Sequence, residues 1–171
     1  MTLTTISIIV ATAIYVAYNV ISLAIFGIPE SLSNTYYLYK EKWNKGWLFC
    51  VMMYAVVAFM LPAWIGLSDG SNFQFLSFLA PTAIAFVGTA PRFKDSPLEK
   101  GVHSIAAIFA AVCSLAWVAL VTPYWWMILI WFCLVVLAAI LTSSYKTAYV
   151  YWLETIAFGA TFCSTIFYSV M

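Results

Sequence analysis

Glu154 is the residue whose position most demands a chemical reason. It lies about six residues into an apolar run that opens near Ala148, roughly 9 Å from the start of that run at 1.5 Å per residue. A carboxylate at that depth in a bilayer costs on the order of 2.5–3.5 kcal/mol by insertion scales. It is therefore expected to face the inside of a bundle and to be protonated or hydrogen-bonded. Thr147, Tyr151, Glu154, Thr161 and Thr165 follow one another at intervals of four, three, seven and four, which is one stripe of a 3.6-residue helix. Thr12, Tyr15, Asn19 and Ser22 form a comparable stripe in the first apolar run. Two such stripes are expected to face each other or a shared wet cavity that binds a ligand or relays protons. The plainer role is interhelical hydrogen bonding that fixes packing, worth roughly 0.6–2 kcal/mol per contact.

His103 is the only histidine. An imidazole near neutral pH can act as a base or a proton relay, but one histidine alone does not make a metal site, and none is expected. Ser33 belongs to a Ser31-x-Ser33-x-x-Tyr36-Tyr37 run, with Glu30 just before it. Ser33, His103 and either Glu30 or Glu154 have the residue types of a nucleophile, a base and an acid, although spacing alone does not bring them into contact. Cys50, Cys113, Cys133 and Cys163 all fall in apolar runs without a Cys-x-x-Cys pair. They read as buried hydrophobes rather than as ligands or disulfides. No cofactor is implied. Asp69 sits among Ser68, Gly70, Ser71 and Asn72, ordinary turn chemistry.

The elements that must position these groups follow from composition. Of 171 residues, 65% are hydrophobic and 8% charged, against about 25% charged in a soluble domain. A soluble monomer and a disordered chain are both excluded. A net charge of +1 supplies no field for nucleic acid. The remaining solvent is membrane lipid. Measured against the roughly 20 apolar residues needed to cross a bilayer, six runs qualify: about 3–27, 47–67, 74–90 (shorter), 102–121, 124–141 and 148–170. Backbone groups in hydrocarbon must bond internally, so these are helices. The first run has no positive residue before it and is long for a signal peptide, so it is read as a retained span.

All seven Lys and Arg residues fall in three of the connections: Lys40, Lys42 and Lys45, then Arg92, Lys94 and Lys100, then Lys146. Positive residues stay cytoplasmic, which places loops 28–46, 91–101 and 142–147 inside and both termini outside. Pro29 ends the first helix, and Ser31 or Ser33 is suited to cap a short helix through Trp43 that lies in the headgroup layer. Ala106, Ala107, Ala110, Ala111 and Ser114 form a small-residue surface that lets another helix approach closely. Trp43, Trp47, Trp64, Tyr124, Trp125, Trp126 and Trp152 fit interfacial belts, whereas Trp117 and Trp131 sit within spans.

The run from Ser31 to Tyr37, together with Val102-His103-Ser104-Ile105-Ala106-Ala107, resembles an uncharacterised group of bacterial multi-span inner membrane proteins. That resemblance implies a bacterial inner membrane location and no defined activity. More distantly, a Ser, acidic and His set on helices is similar to the membrane hydrolases of the alkaline ceramidase and progestin-receptor-like superfamily. Those proteins hold zinc with several histidines on seven helices, and one histidine on six spans does not carry that chemistry over. The expected architecture is an all-α polytopic bundle of six spans in a single transmembrane domain over 1–171. The expected function is binding or transport of a small or lipid-like ligand, or of protons, through a cavity lined by Glu154, His103 and Asn19, with Tyr15, Tyr151, Glu30 and Ser33 nearby. The alternatives are a structural or accessory subunit and a membrane-embedded hydrolase. Partners beyond lipid would be further copies of the chain or a larger membrane complex.

Overall fold

A computed structural model describes residues 2–171. The described chain is all helical: α1 (Leu3–Phe26), α2 (Thr35–Trp43), α3 (Trp47–Leu67), α4 (Leu76–Thr89), α5 (Pro97–Val121), α6 (Trp126–Leu141) and α7 (Tyr149–Val170). Four of them, α1, α3, α5 and α7, are long and apolar enough to cross a membrane, while α4 and α6 are apolar but shorter. The six apolar runs coincide with the six longer helices. The main departure is α5, which begins five residues before its apolar run. Ser96 caps it by accepting from the Glu99 N–H, and Pro97 occupies the first turn, where its missing N–H costs nothing. The polar start of this helix is thus set by capping rather than by hydropathy.

Each end of α1 has a local cause. The Thr2 hydroxyl accepts from the Thr5 N–H at 3.1 Å. Gly27 stops the helix at φ +71°, a conformation that side chains resist. The chain then turns through Ile28–Asn34 into α2. Ser31 Oγ accepts from the Asn34 N–H at 3.0 Å, so Ser31 closes this turn, whereas Ser33 is turned elsewhere.

Five helices close a ring in the order α1, α3, α4, α5, α7 and back to α1, and α6 packs outside it against α7. The docking of α6 is tight at one point, where a Cβ on Gly159 would lie 2.5 Å from the Trp131 ring. That glycine is therefore a packing surface for the indole. At the end of the ring away from α2, Trp64 and Trp117 stack with centroids 4.5 Å apart. Trp64 Nε1 donates to Thr165 Oγ1 at 3.2 Å and Trp117 Nε1 to Ser68 Oγ at 2.7 Å. Trp64 is thus core rather than part of an interfacial belt, because both indole N–H groups find partners inside. Cys133 also departs from the buried expectation, being exposed on α6.

All basic loops gather at the other end. Lys94 pairs with Glu30 at 3.0 Å, Arg92 with Glu99 at 3.3 Å and Lys40 with Asp95 at 3.7 Å. The Lys94 N–H donates to Tyr37 OH at 2.8 Å, tying α2 to the α4–α5 connection. Such exposed pairs contribute about 0–1 kcal/mol each. They fix which loops are neighbours more than they stabilise the ring.

Candidate functional site

The Glu30–Thr35 segment enters the basic end of the ring and is held there by bonds from three helices. The first turn of α7 has N–H groups without partners in its own helix, and that of Tyr151 donates to the Glu30 carbonyl at 3.1 Å. One turn further on, Glu154 Oε2 accepts from the Leu32 N–H at 2.6 Å. From α5, His103 Nε2 lies 2.9 Å from Ser33 Oγ, and its Nδ1 lies 2.9 Å from the Ala90 carbonyl. A carbonyl can only accept, so Nδ1 carries a proton, and the neutral ring then accepts the Ser33 hydroxyl at Nε2. From α1, Tyr18 OH meets Thr35 Oγ1 at 2.6 Å, while Thr35 Oγ1 is also within 2.6 Å of the Leu32 carbonyl. Leu32 and Ser33 are each 1% exposed. This segment is a plug, fastened to the surrounding helices by the Leu32 N–H, the Glu30 carbonyl and the Ser33 and Thr35 hydroxyls and closed within itself by the Asn34 and Thr35 N–H groups.

Of the residues singled out by type, Ser33, His103 and Glu154 therefore converge on two adjacent positions of one turn, 32 and 33. His103 and Glu154 do not pair directly; each holds its own end of the Leu32–Ser33 step. Glu30 contributes its carbonyl, but its carboxylate points outward to Lys94. Tyr151 is buried beside it. Tyr15 stacks on Phe158 at 4.5 Å, which joins the two polar stripes through aromatic rings. Asn19 is turned back on its own helix, donating to the Tyr15 carbonyl at 3.0 Å.

Above the plug the ring leaves a cavity in which about 60 Å³ is open to the centres of water molecules. By that measure one water needs roughly 10–15 Å³, so the space holds a few waters or a small organic group. The walls come from α3, α4, α5 and α7, with Met53, Pro81 and Phe158 among them. Ala107, Ala110, Ala111 and Ser114 of α5 face it. The small-residue surface thus makes room over these four positions, rather than only admitting a neighbouring helix. Three polar side chains line this apolar space: Glu154, Ser114 and Thr161. Glu154 is half-buried, while Thr161 is buried and its Oγ1 has no hydrogen-bond partner. Among the described residues no group of His, Cys, Asp and Glu is arranged to hold a metal ion.

The sequence carried no sign of the Ala90 carbonyl, the Leu32 amide or Phe93, whose ring covers His103 at 4.6 Å. Backbone partners have no residue signature, and Phe93 lies in a mixed-charge connection. Comparisons with family models, with curated proteins and with solved structures return no match to this chain.

Proposed function

We propose that this protein is a six-span integral membrane protein of the bacterial cytoplasmic membrane, with both termini outside, that binds a small amphiphilic ligand in the cavity of its helix ring. The observation that carries the ligand reading is an apolar cavity holding a carboxylate and a buried hydroxyl without a partner. Buried polar groups are almost always paired, and a cavity with few, convergent polar groups is the common form of a ligand site. The gathering of every basic loop at one end favours the proposed topology. The short α4 and α6 would be accommodated by local thinning or by their flanking turns.

Native mass spectrometry of gently extracted protein tests the ligand reading. A defined extra mass on the wild type that is lost in Glu154→Gln is the expected result. A clean monomer in both would favour an accessory subunit whose polar groups only specify packing. For topology, Lys45→Cys and Ser71→Cys on a cysteine-free background should differ towards an impermeant maleimide. Ser71→Cys should react in intact cells and Lys45→Cys only after permeabilisation, and the reverse pattern overturns the orientation.

A second reading, a membrane-embedded hydrolase, is favoured by the 2.9 Å contact between Ser33 Oγ and His103 Nε2, the geometry of a nucleophile and its base. It ranks lower because Ser33 is 1% exposed and Phe93 covers His103, so a substrate would first have to displace the plug. A fluorophosphonate that labels wild type but neither Ser33→Ala nor His103→Ala would promote it.

A further inference from the structure

We propose that the cavity ligand is a small lipophilic ammonium ion, bound through its N–H groups to Glu154 and enclosed by the apolar walls of α3, α4, α5 and α7; this rests on the ligand-cavity reading above. Among the described residues, the three ion pairs all lie in the surface layer at the basic end, and none includes Glu154. The sole histidine is committed at both nitrogens, to Ala90 and to Ser33. A carboxylate offers about four lone-pair sites, and this one accepts a single bond, from Leu32. A carboxylate at this position without a partner ion must either take up a proton or be supplied with a counter-ion. An ammonium supplies both the charge and the missing donors, whereas a neutral apolar molecule supplies neither and an anionic head group is repelled.

Thr161 is the independent observation. The residue lines the cavity and its hydroxyl is buried and unpartnered, seven positions beyond Glu154 and so roughly 10 Å further along the helix. Ser114 joins the same wall from α5. Between these polar points lie Ala157 and Phe158, with Ala107, Ala110 and Ala111 opposite on α5. The arrangement suits a cationic head at the plug with a short alkyl or aryl body above it.

The test compares benzylammonium with benzyl alcohol, its neutral near-isostere, on the full chain in detergent. The expected result is that benzylammonium raises the melting midpoint and adds one equivalent of mass in native spectra, while benzyl alcohol does neither. Glu154→Gln should lose at least about tenfold in benzylammonium affinity, the scale of one charge-assisted hydrogen bond. Ala110→Leu fills the cavity without touching the carboxylate, and should abolish binding while melting as wild type does; it keeps the test open if Glu154→Gln folds poorly. Equal binding of both probes, or undiminished binding to Glu154→Gln, overturns the ammonium assignment while leaving a ligand cavity in place. Failure of benzylammonium to bind the wild type also overturns it. The cavity reading itself falls only if, in addition, the wild type carries no co-purifying mass that Ala110→Leu removes.

Discussion

The Glu154 carboxylate and the Leu32 backbone N–H are separated by 122 positions of sequence and by 2.6 Å in space. One oxygen of the only acidic side chain lining the cavity is therefore also the fastening of the plug beneath it. The remaining lone pairs of this carboxylate are open to a donor from above while Oε2 stays on the amide below, so occupancy of the cavity and closure of the basic end share one group.

Glu154→Leu should be more damaging than Glu154→Gln. The glutamine carbonyl still accepts from Leu32, whereas leucine leaves a buried N–H unsatisfied, at a cost of about 1–3 kcal/mol. Thermal melting in detergent should rank wild type and Glu154→Gln close together, with Glu154→Leu clearly lower. Equal melting of all three would show that the Leu32 bond does not hold the plug.

Cavity occupancy should tighten the plug. Hydrogen exchange at the peptide covering Leu32–Thr35 is expected to slow when benzylammonium is bound, because the ammonium takes the free lone pairs of Glu154 and holds the carboxylate in place on the Leu32 N–H. Faster exchange of that peptide on binding would mean that the ligand draws the carboxylate off the Leu32 bond.

Ser33 and His103 should behave as a coupled pair. Ser33→Ala and His103→Ala each remove one partner of a buried hydrogen bond, and a double-mutant cycle should return a coupling of about 0.5–3 kcal/mol. Additive losses would leave the 2.9 Å contact without energetic meaning. His103 also bonds Ala90, so its single variant is expected to be the more destabilised.

Gly159→Ala should detach or shift α6. A methyl group there would meet the Trp131 ring at 2.5 Å, and overpacking of this kind costs about 1–3 kcal/mol. Trp131→Leu in the same chain should recover part of the loss. No recovery would mean that Gly159 matters for the helix itself rather than for its neighbour.

The helices were legible because an apolar run bounded by charges is a one-dimensional signal. Even the error at α5 has a one-dimensional cause, a Ser96-Pro97 cap that starts the helix five positions before the apolar run. Glu154 was legible for the same reason, as a charge where hydropathy forbids one. The types of Ser33 and His103 suggested a pair, but their meeting across 70 positions is a product of the fold. The polar stripes suggested a cavity and Glu154 does line it, but the expected Asn19 and His103 do not, and its true walls had no signature. Its walls are mostly alanine, methionine, valine and aromatic side chains, residues that equally make a filled core, and only the ring closure of α1, α3, α4, α5 and α7 leaves them facing a gap.

Helix α6 contributes no wall to that gap and packs on the ring chiefly through α7. Its service is directional. The preceding helix α5 finishes beside Trp117 at the far end, whereas α7 must start beside Glu30 for Glu154 to reach Leu32. The sixteen residues of α6, about 24 Å of helix, carry the chain back across so that α7 sets out from the correct side. A chain lacking this return stroke would run α7 upside down, with its carboxylate delivered to the tryptophan end. The outlying helix thus decides which way round the cavity is built.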